Sequence, residues 1–102
     1  VDKAQYLLTK LAEECVEVAQ RALKQIQFGK DEIQDGQPLT NTERLSREII
    51  DLICVTRLLE ETEEFPELLG VDIQEEYEKK KAKMQKYLDL SAKLGRLPEI
   101  TL

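Results

Sequence analysis

The hydrophobic positions of this chain recur at helical spacing along most of its length. Leu7, Leu8, Leu11, Cys15, Val18, Ala19, Ala22 and Ile26 form one stripe, which predicts an amphipathic helix over residues 2–28. Asp2 is placed to cap its start, and Gly29 to end it. Residues 30–39 contain Asp35-Gly36 and Pro38 and read as a loop. Its length suits a lid over a ligand and equally suits a tolerated insertion. Thr40-Asn41-Thr42-Glu43 fits a capping box opening a second helix, expected to run to about Glu63.

That second helix is apolar on nearly every side: Leu45, Ile49, Ile50, Leu52, Ile53, Cys54, Val55, Leu58 and Leu59. A helix apolar all round is expected to be buried all round. In so short a chain, this implies packing against a second subunit as well as against its own neighbours. Phe65-Pro66 breaks the pattern, and residues 67–69 are expected to form a short helical turn. Asp72 with Glu75 caps a third helix over 73–94, with Ile73, Tyr77, Met84 and Leu88 as its stripe and Gly95 at its end. The partly apolar tail, 96–102, is expected to dock on a neighbour. No segment has the period of a strand. The expected fold class is therefore all-α: a single domain over 1–102, a helical bundle of three or four main helices completed by homo-oligomerisation.

Composition narrows the chemistry. The 102 residues carry a net charge of −6, with 35% charged residues. Such an acidic chain has no basic footprint for duplex nucleic acid. Free nucleotides remain open as partners, because a metal can screen their phosphates. There is no histidine, which removes Ser-His-Asp and Cys-His catalysis and histidine-ligated zinc. An all-oxygen site favours magnesium, manganese or calcium. Cys15 and Cys54 read as small buried apolar residues of a reduced, cytoplasmic protein. No apolar run has the length of a membrane span, and no signal peptide is visible.

Against this background, two acidic pairs stand out. Glu48 and Asp51 point about 60° apart on the second helix, beside Leu52, Val55, Leu58 and Leu59. Removing a carboxylate from water costs roughly several kcal/mol unless something compensates. One compensation is an ion pair with Arg44 or Arg47; another is a bound cation. Glu14 and Glu17 repeat the spacing on the first helix, on a flank with Lys10, Arg21 and Lys24. The bland reading there is a solvated flank with Lys10–Glu14 and Glu17–Arg21 pairs. Taken together, the pairs change the picture. Packing the two helices stripe to stripe sets Glu14 and Glu17 at the rim, facing Glu48 and Asp51. Four converging carboxylates repel unless cations or protons intervene. On the third helix, Lys80 shares a sector with Tyr77, Met84 and Tyr87, and Lys83 follows about one turn on. Either lysine is a candidate contact for substrate phosphate, or a snorkelling side chain covering apolar surface. Lys79-Lys80-Lys81 as a whole reads as a solvated face balanced by Glu75, Glu76 and Glu78.

Glu14-Cys15-Val16-Glu17 followed by Glu48-Ile49-Ile50-Asp51 resembles the E-x-x-E … E-x-x-D signature of the all-α nucleoside triphosphate pyrophosphohydrolases, the MazG-like superfamily. LTKLAEECVEVAQRALKQIQFG is similar to the first helix of MazG-type proteins, TERLSREIIDLICVTRLL to the second, and KKAKMQKYLDLSAKLGRL to the helical tail of small members. The stretch between Glu17 and Glu48 is longer than in compact members. Leu52-Ile53-Cys54-Val55 stands where phosphoribosyl-ATP pyrophosphatases place a histidine, which disfavours that activity. The resemblance implies a bundle completed as a homodimer or homotetramer. It implies hydrolysis of a nucleoside triphosphate to monophosphate and pyrophosphate. It implies Glu14, Glu17, Glu48 and Asp51 as metal-binding and catalytic residues, with Mg2+ as cofactor and Mn2+ as a substitute. Lys80 and Lys83 would contact phosphate. Leu7 and Lys10, with a partner subunit, would hold the base. The alternative is a non-enzymatic helical oligomer or adaptor whose acidic pairs only form salt bridges.

Overall fold

The computed structural model describes residues 1–102 and is all-α, with three helices and no strand: α1 (Lys3–Phe28), α2 (Asn41–Glu60) and α3 (Ile73–Lys93). The starts follow the local capping chemistry. The Asp2 carboxylate accepts from Gln5 N at 2.8 Å, and the Gln5 side chain accepts from Asp2 N at 3.1 Å. Thr40 and Glu43 make the same reciprocal pair at 3.1 Å in each direction. Asp72 accepts from Glu75 N.

The ends differ in instructive ways. α2 stops three residues short of the expected Glu63 because Thr62 captures the Leu59 carbonyl, with its hydroxyl at 2.7 Å and its amide at 3.1 Å. Both bonds turn the chain out of the helix at that carbonyl. The chain then runs through turns rather than the expected helical turn at 67–69, with Glu67 at φ 59°. α3 closes through Gly95, whose φ of 74° lets Gly95 N reach Ala92 O while Arg96 N reaches Ser91 O.

By its contacts the chain divides into two compact units, Val1–Leu68 and Leu69–Leu102. In the first, α1 and α2 form an antiparallel pair: Gln25 bonds Thr42 at one end, and residues 2–4 line a cleft with 61–64 at the other. The side chains withdrawn from solvent on α1 are chiefly Ala4, Leu7, Leu11, Glu14, Val18, Arg21 and Gln25, alternating in steps of three and four. On α2 they include Asn41, Leu45, Glu48, Leu52, Val55 and Leu59. This is the a/d seam of a helix pair. It is apolar near Leu7 and Leu59 and polar from Glu14 to Gln25.

The seam only partly matches the expected stripe of α1. Leu7, Leu11 and Val18 belong to it. Leu8, Cys15, Ala19, Ala22 and Ile26 lie about a quarter-turn round the helix and are exposed. Cys15 and Cys54 are both free and exposed, not buried, because they sit off the seam. α2 is likewise covered on one side only. Ile49, Ile50, Ile53 and Leu58 are 41–49% exposed, so the helix is not buried all round within one chain.

The loop after Gly29 is tied to the first turn of α2. Asn41 N donates to Glu32 O, Thr42 N to Lys30 O, and the Arg44 guanidinium to the Gln34 side chain at 2.9 Å. The Asn41 amide is 2% exposed and donates to Gly29 O at 2.8 Å and to the Glu32 carboxylate at 3.2 Å. These bonds satisfy helix-start amides that would otherwise lack partners. In the second unit, Gln85 holds the tail against α3: its Nε2 donates to Ile100 O, and its Oε1 accepts from Leu102 N. The tail thus docks on its own helix. No residue of α3 is buried.

Candidate functional site

The seam brings the acidic pairs together. Glu14 and Glu48 stand within it, while Glu17 and Asp51, each about one turn away, are exposed at its edge. One carboxylate oxygen from each of Glu14, Glu17 and Glu48 lies within 4.8 Å of the others. Asp51 stands outside that group, close enough that its charge bears on Glu14. Glu14 Oε2 and Glu48 Oε2 are shielded from solvent and have no hydrogen-bond partner.

The electrostatics follow from this crowding. The Glu48 carboxyl is pushed from 4.5 up to about 7, first because it donates a hydrogen bond to Glu17, then by burial and by the Glu17 and Glu14 charges. Glu14 is also pushed upward, chiefly by burial and then by the charges of Glu17 and Asp51. In each case the carboxyl is held closer to its neutral form than an isolated one would be.

No basic side chain forms an ion pair with the cluster. The ion pairs of the chain are Lys10–Glu13 at 3.1 Å and Lys79 with Glu75 and Glu76 at 3.1 and 3.7 Å. The expected pairs Lys10–Glu14, Glu17–Arg21, and Arg44 or Arg47 with Glu48 or Asp51 do not form. Arg44 is spent on the loop. Lys10 turns to Glu13 and lies 5.6 Å from the Tyr6 ring centroid. Leu7 is 7% exposed and occupied by the seam.

The remaining unpartnered atoms in the first unit are Arg21 Nη1 and Gln25 Nε2. The second has a local remedy. Thr42 Oγ1 faces both Gln25 Oε1 at 3.0 Å and Lys30 O at 3.1 Å, and one hydroxyl hydrogen cannot fully serve two acceptors. Turning the Gln25 amide over lets Thr42 accept from Gln25 and donate to Lys30. Arg21 has no such remedy. The polar seam residues Arg21, Gln25 and Asn41 escaped the sequence reading because hydropathy scores them as surface. The steps of three and four that join Arg21 and Gln25 to Leu7, Leu11 and Val18 are the signal that could have found those two.

The lysines of α3 belong to the second unit. Lys80 and Lys81 line a groove of about 560 Å³ with Ile73, Tyr77, Met84 and Leu102. Lys83 is exposed. No helix is long and apolar enough to cross a membrane.

Compared with protein-family models, curated proteins and solved structures, the chain matches none.

Proposed function

We propose that this chain is a magnesium-dependent nucleoside triphosphate pyrophosphohydrolase of the MazG-like, all-α kind, with manganese as a substitute metal. The observation that carries the reading is the cluster of Glu14, Glu17 and Glu48, with its two shielded, unpartnered carboxylate oxygens and no basic partner. An all-oxygen donor set on two helices fits a hard divalent cation. Glu14, Glu17 and Glu48 would hold it, and Asp51 would complete the set from the exposed edge.

Divalent cations bound there would neutralise phosphate charge, polarise the scissile phosphoryl group and lower the pKa of a bound water. The carboxylates would position the attacking water and take up its proton. Attack at the α phosphate releases pyrophosphate and leaves the nucleoside monophosphate. Lys10, Lys80 and Lys83 are proposed as substrate contacts, the last two toward phosphate. The open apolar faces of α2 and α3 support assembly into a homodimer or homotetramer, since burying such faces is a main driving force of association. The reduced cysteines and acidic charge suit a cytoplasmic enzyme acting on free nucleotides.

The rival reading, a non-enzymatic helical adaptor, shares the open apolar faces. It needs the acidic pairs to be engaged in salt bridges, and the ion pairs of the chain lie elsewhere. A screen of canonical and modified nucleoside triphosphates, with phosphorus NMR separating pyrophosphate from orthophosphate, tests the proposal. Magnesium-dependent pyrophosphate release supports it. Absence of release across the panel, with no effect of magnesium on melting temperature, favours the adaptor.

A further inference from the structure

We infer that Arg21 is a substrate contact of the proposed site, donating to a phosphate oxygen of the bound nucleotide. The inference rests on the metal-dependent reading above and adds a residue which that reading does not include.

Arg21 follows Glu17 by four positions and Glu14 by seven, so it shares their flank of α1. Arginine is always charged in a protein, and an acidic residue four positions before a basic one is the favoured order for a helical ion pair. Yet Arg21 makes no ion pair with Glu17 or Glu14, and its Nη1 is shielded from solvent without any hydrogen-bond partner. Glu17 instead has carboxylate oxygens of Glu14 and Glu48 within 4.8 Å. Arg21 is half-buried, and one of its guanidinium nitrogens is thus left with donor capacity on the helix flank that carries Glu14 and Glu17.

The position adds a second argument. Arg21 occupies a seam step at which leucine or methionine would pack against α2. A half-buried arginine with one shielded, unpartnered nitrogen opposes folding there. Carboxylates can be satisfied by a cation; a guanidinium makes its strongest bonds to an anion. The planar fork of arginine matches phosphate oxygens, and side chains on a helix lean toward its N-terminus, here toward Glu17 and Glu14. A polyphosphate held through cations at the carboxylates brings such oxygens to that place.

The test compares wild type, Arg21→Met and Arg21→Lys in two measurements. Magnesium alone is followed by its shift in melting temperature. Binding of ribo- and deoxyribonucleoside triphosphates with an imido bridge between the α and β phosphates is followed by calorimetry at saturating magnesium. Arg21→Met is expected to fold at least as stably as wild type and to keep the magnesium shift. It should bind the analogues at least tenfold more weakly, with Arg21→Lys falling between. Unchanged analogue affinity in Arg21→Met would overturn the inference and leave the metal site standing. Loss of the magnesium shift in Arg21→Met would also overturn it, because Arg21 would then act through the carboxylates. A wild type that responds to neither magnesium nor any analogue would instead remove the underlying reading.

Discussion

Glu48 on α2 and Glu17 on α1 bring carboxylate oxygens within 4.8 Å of each other, although both carry carboxyl groups that are ionised in water at neutral pH. Such crowding favours a proton on Glu48. With Glu14 within 4.8 Å of both, the helix pair holds a site that is satisfied by a proton or by a cation but not by neither.

This gives the metal-free protein a pH dependence of definite sign. The Glu48 carboxyl is raised from 4.5 to about 7, so the folded chain keeps a proton that the unfolded chain loses. Its contribution to stability is present at low pH and is lost as pH rises through about 7. Urea unfolding in EDTA at about pH 5 and about pH 8 should show wild type losing stability relative to Glu48→Gln. A constant difference between the two would mean that Glu48 titrates normally.

Magnesium should act in the opposite direction. A cation competes with the shared proton, so the rise in melting temperature on adding magnesium should be larger at pH 8 than at pH 5.5 and should shrink in Glu48→Gln. Calorimetry in buffers of different ionisation enthalpy should detect proton release on binding. Equal magnesium shifts at both pH values would place the cation elsewhere.

Two residues should dominate the stability of the helix pair. Leu59 is 1% exposed at the apolar end of the seam, and Leu59→Ala should cost about 2–5 kcal/mol. Asn41→Ala removes both bonds of the buried amide to the loop and should cost about 1–3 kcal/mol. Hydrogen exchange should show Asn41→Ala acting mainly near residues 29–42. An effect spread evenly over α1 and α2 would mean that Asn41 supports the pair as a whole.

The open face of α2 carries a prediction about assembly. Ile53 is 45% exposed, with Ile49 and Ile50 nearby on the same helix. Ile53→Glu should lower the mass measured by sedimentation from that of an oligomer toward that of one chain. A monomeric wild type would sink this expectation.

What could be read from the sequence was local, or depended on two short motifs. Asp2, Thr40 with Glu43, and Asp72 cap helices through partners three residues away, so composition alone reveals them. The acidic cluster was legible because Glu48 and Asp51 violate an apolar context and Glu14 and Glu17 repeat their spacing. The seam of α1 was not, because Glu14, Arg21 and Gln25 occupy positions at which hydropathy looks for leucine. The apolar content of α1 is spread over two faces, and the chain itself covers only one, so Leu8, Cys15 and Ile26 stay outside. Asn41 was hidden for another reason: its partners, Gly29 and Glu32, lie across a loop whose path no periodicity predicts. Residues that break the local pattern, as Arg21 and Glu48 do, are where function is to be sought.

The central claim is that Glu14, Glu17, Glu48 and Asp51 bind the cations of a pyrophosphohydrolase. The most direct measurement is pyrophosphate release from the best nucleoside triphosphate by wild type, Glu48→Gln and Asp51→Asn, with magnesium and with EDTA, each variant checked for helicity. The account predicts release by wild type in magnesium alone, and a loss of at least about a hundredfold, on the scale of a lost catalytic group, in both folded variants. Release that persists in EDTA, or in both variants, would contradict it.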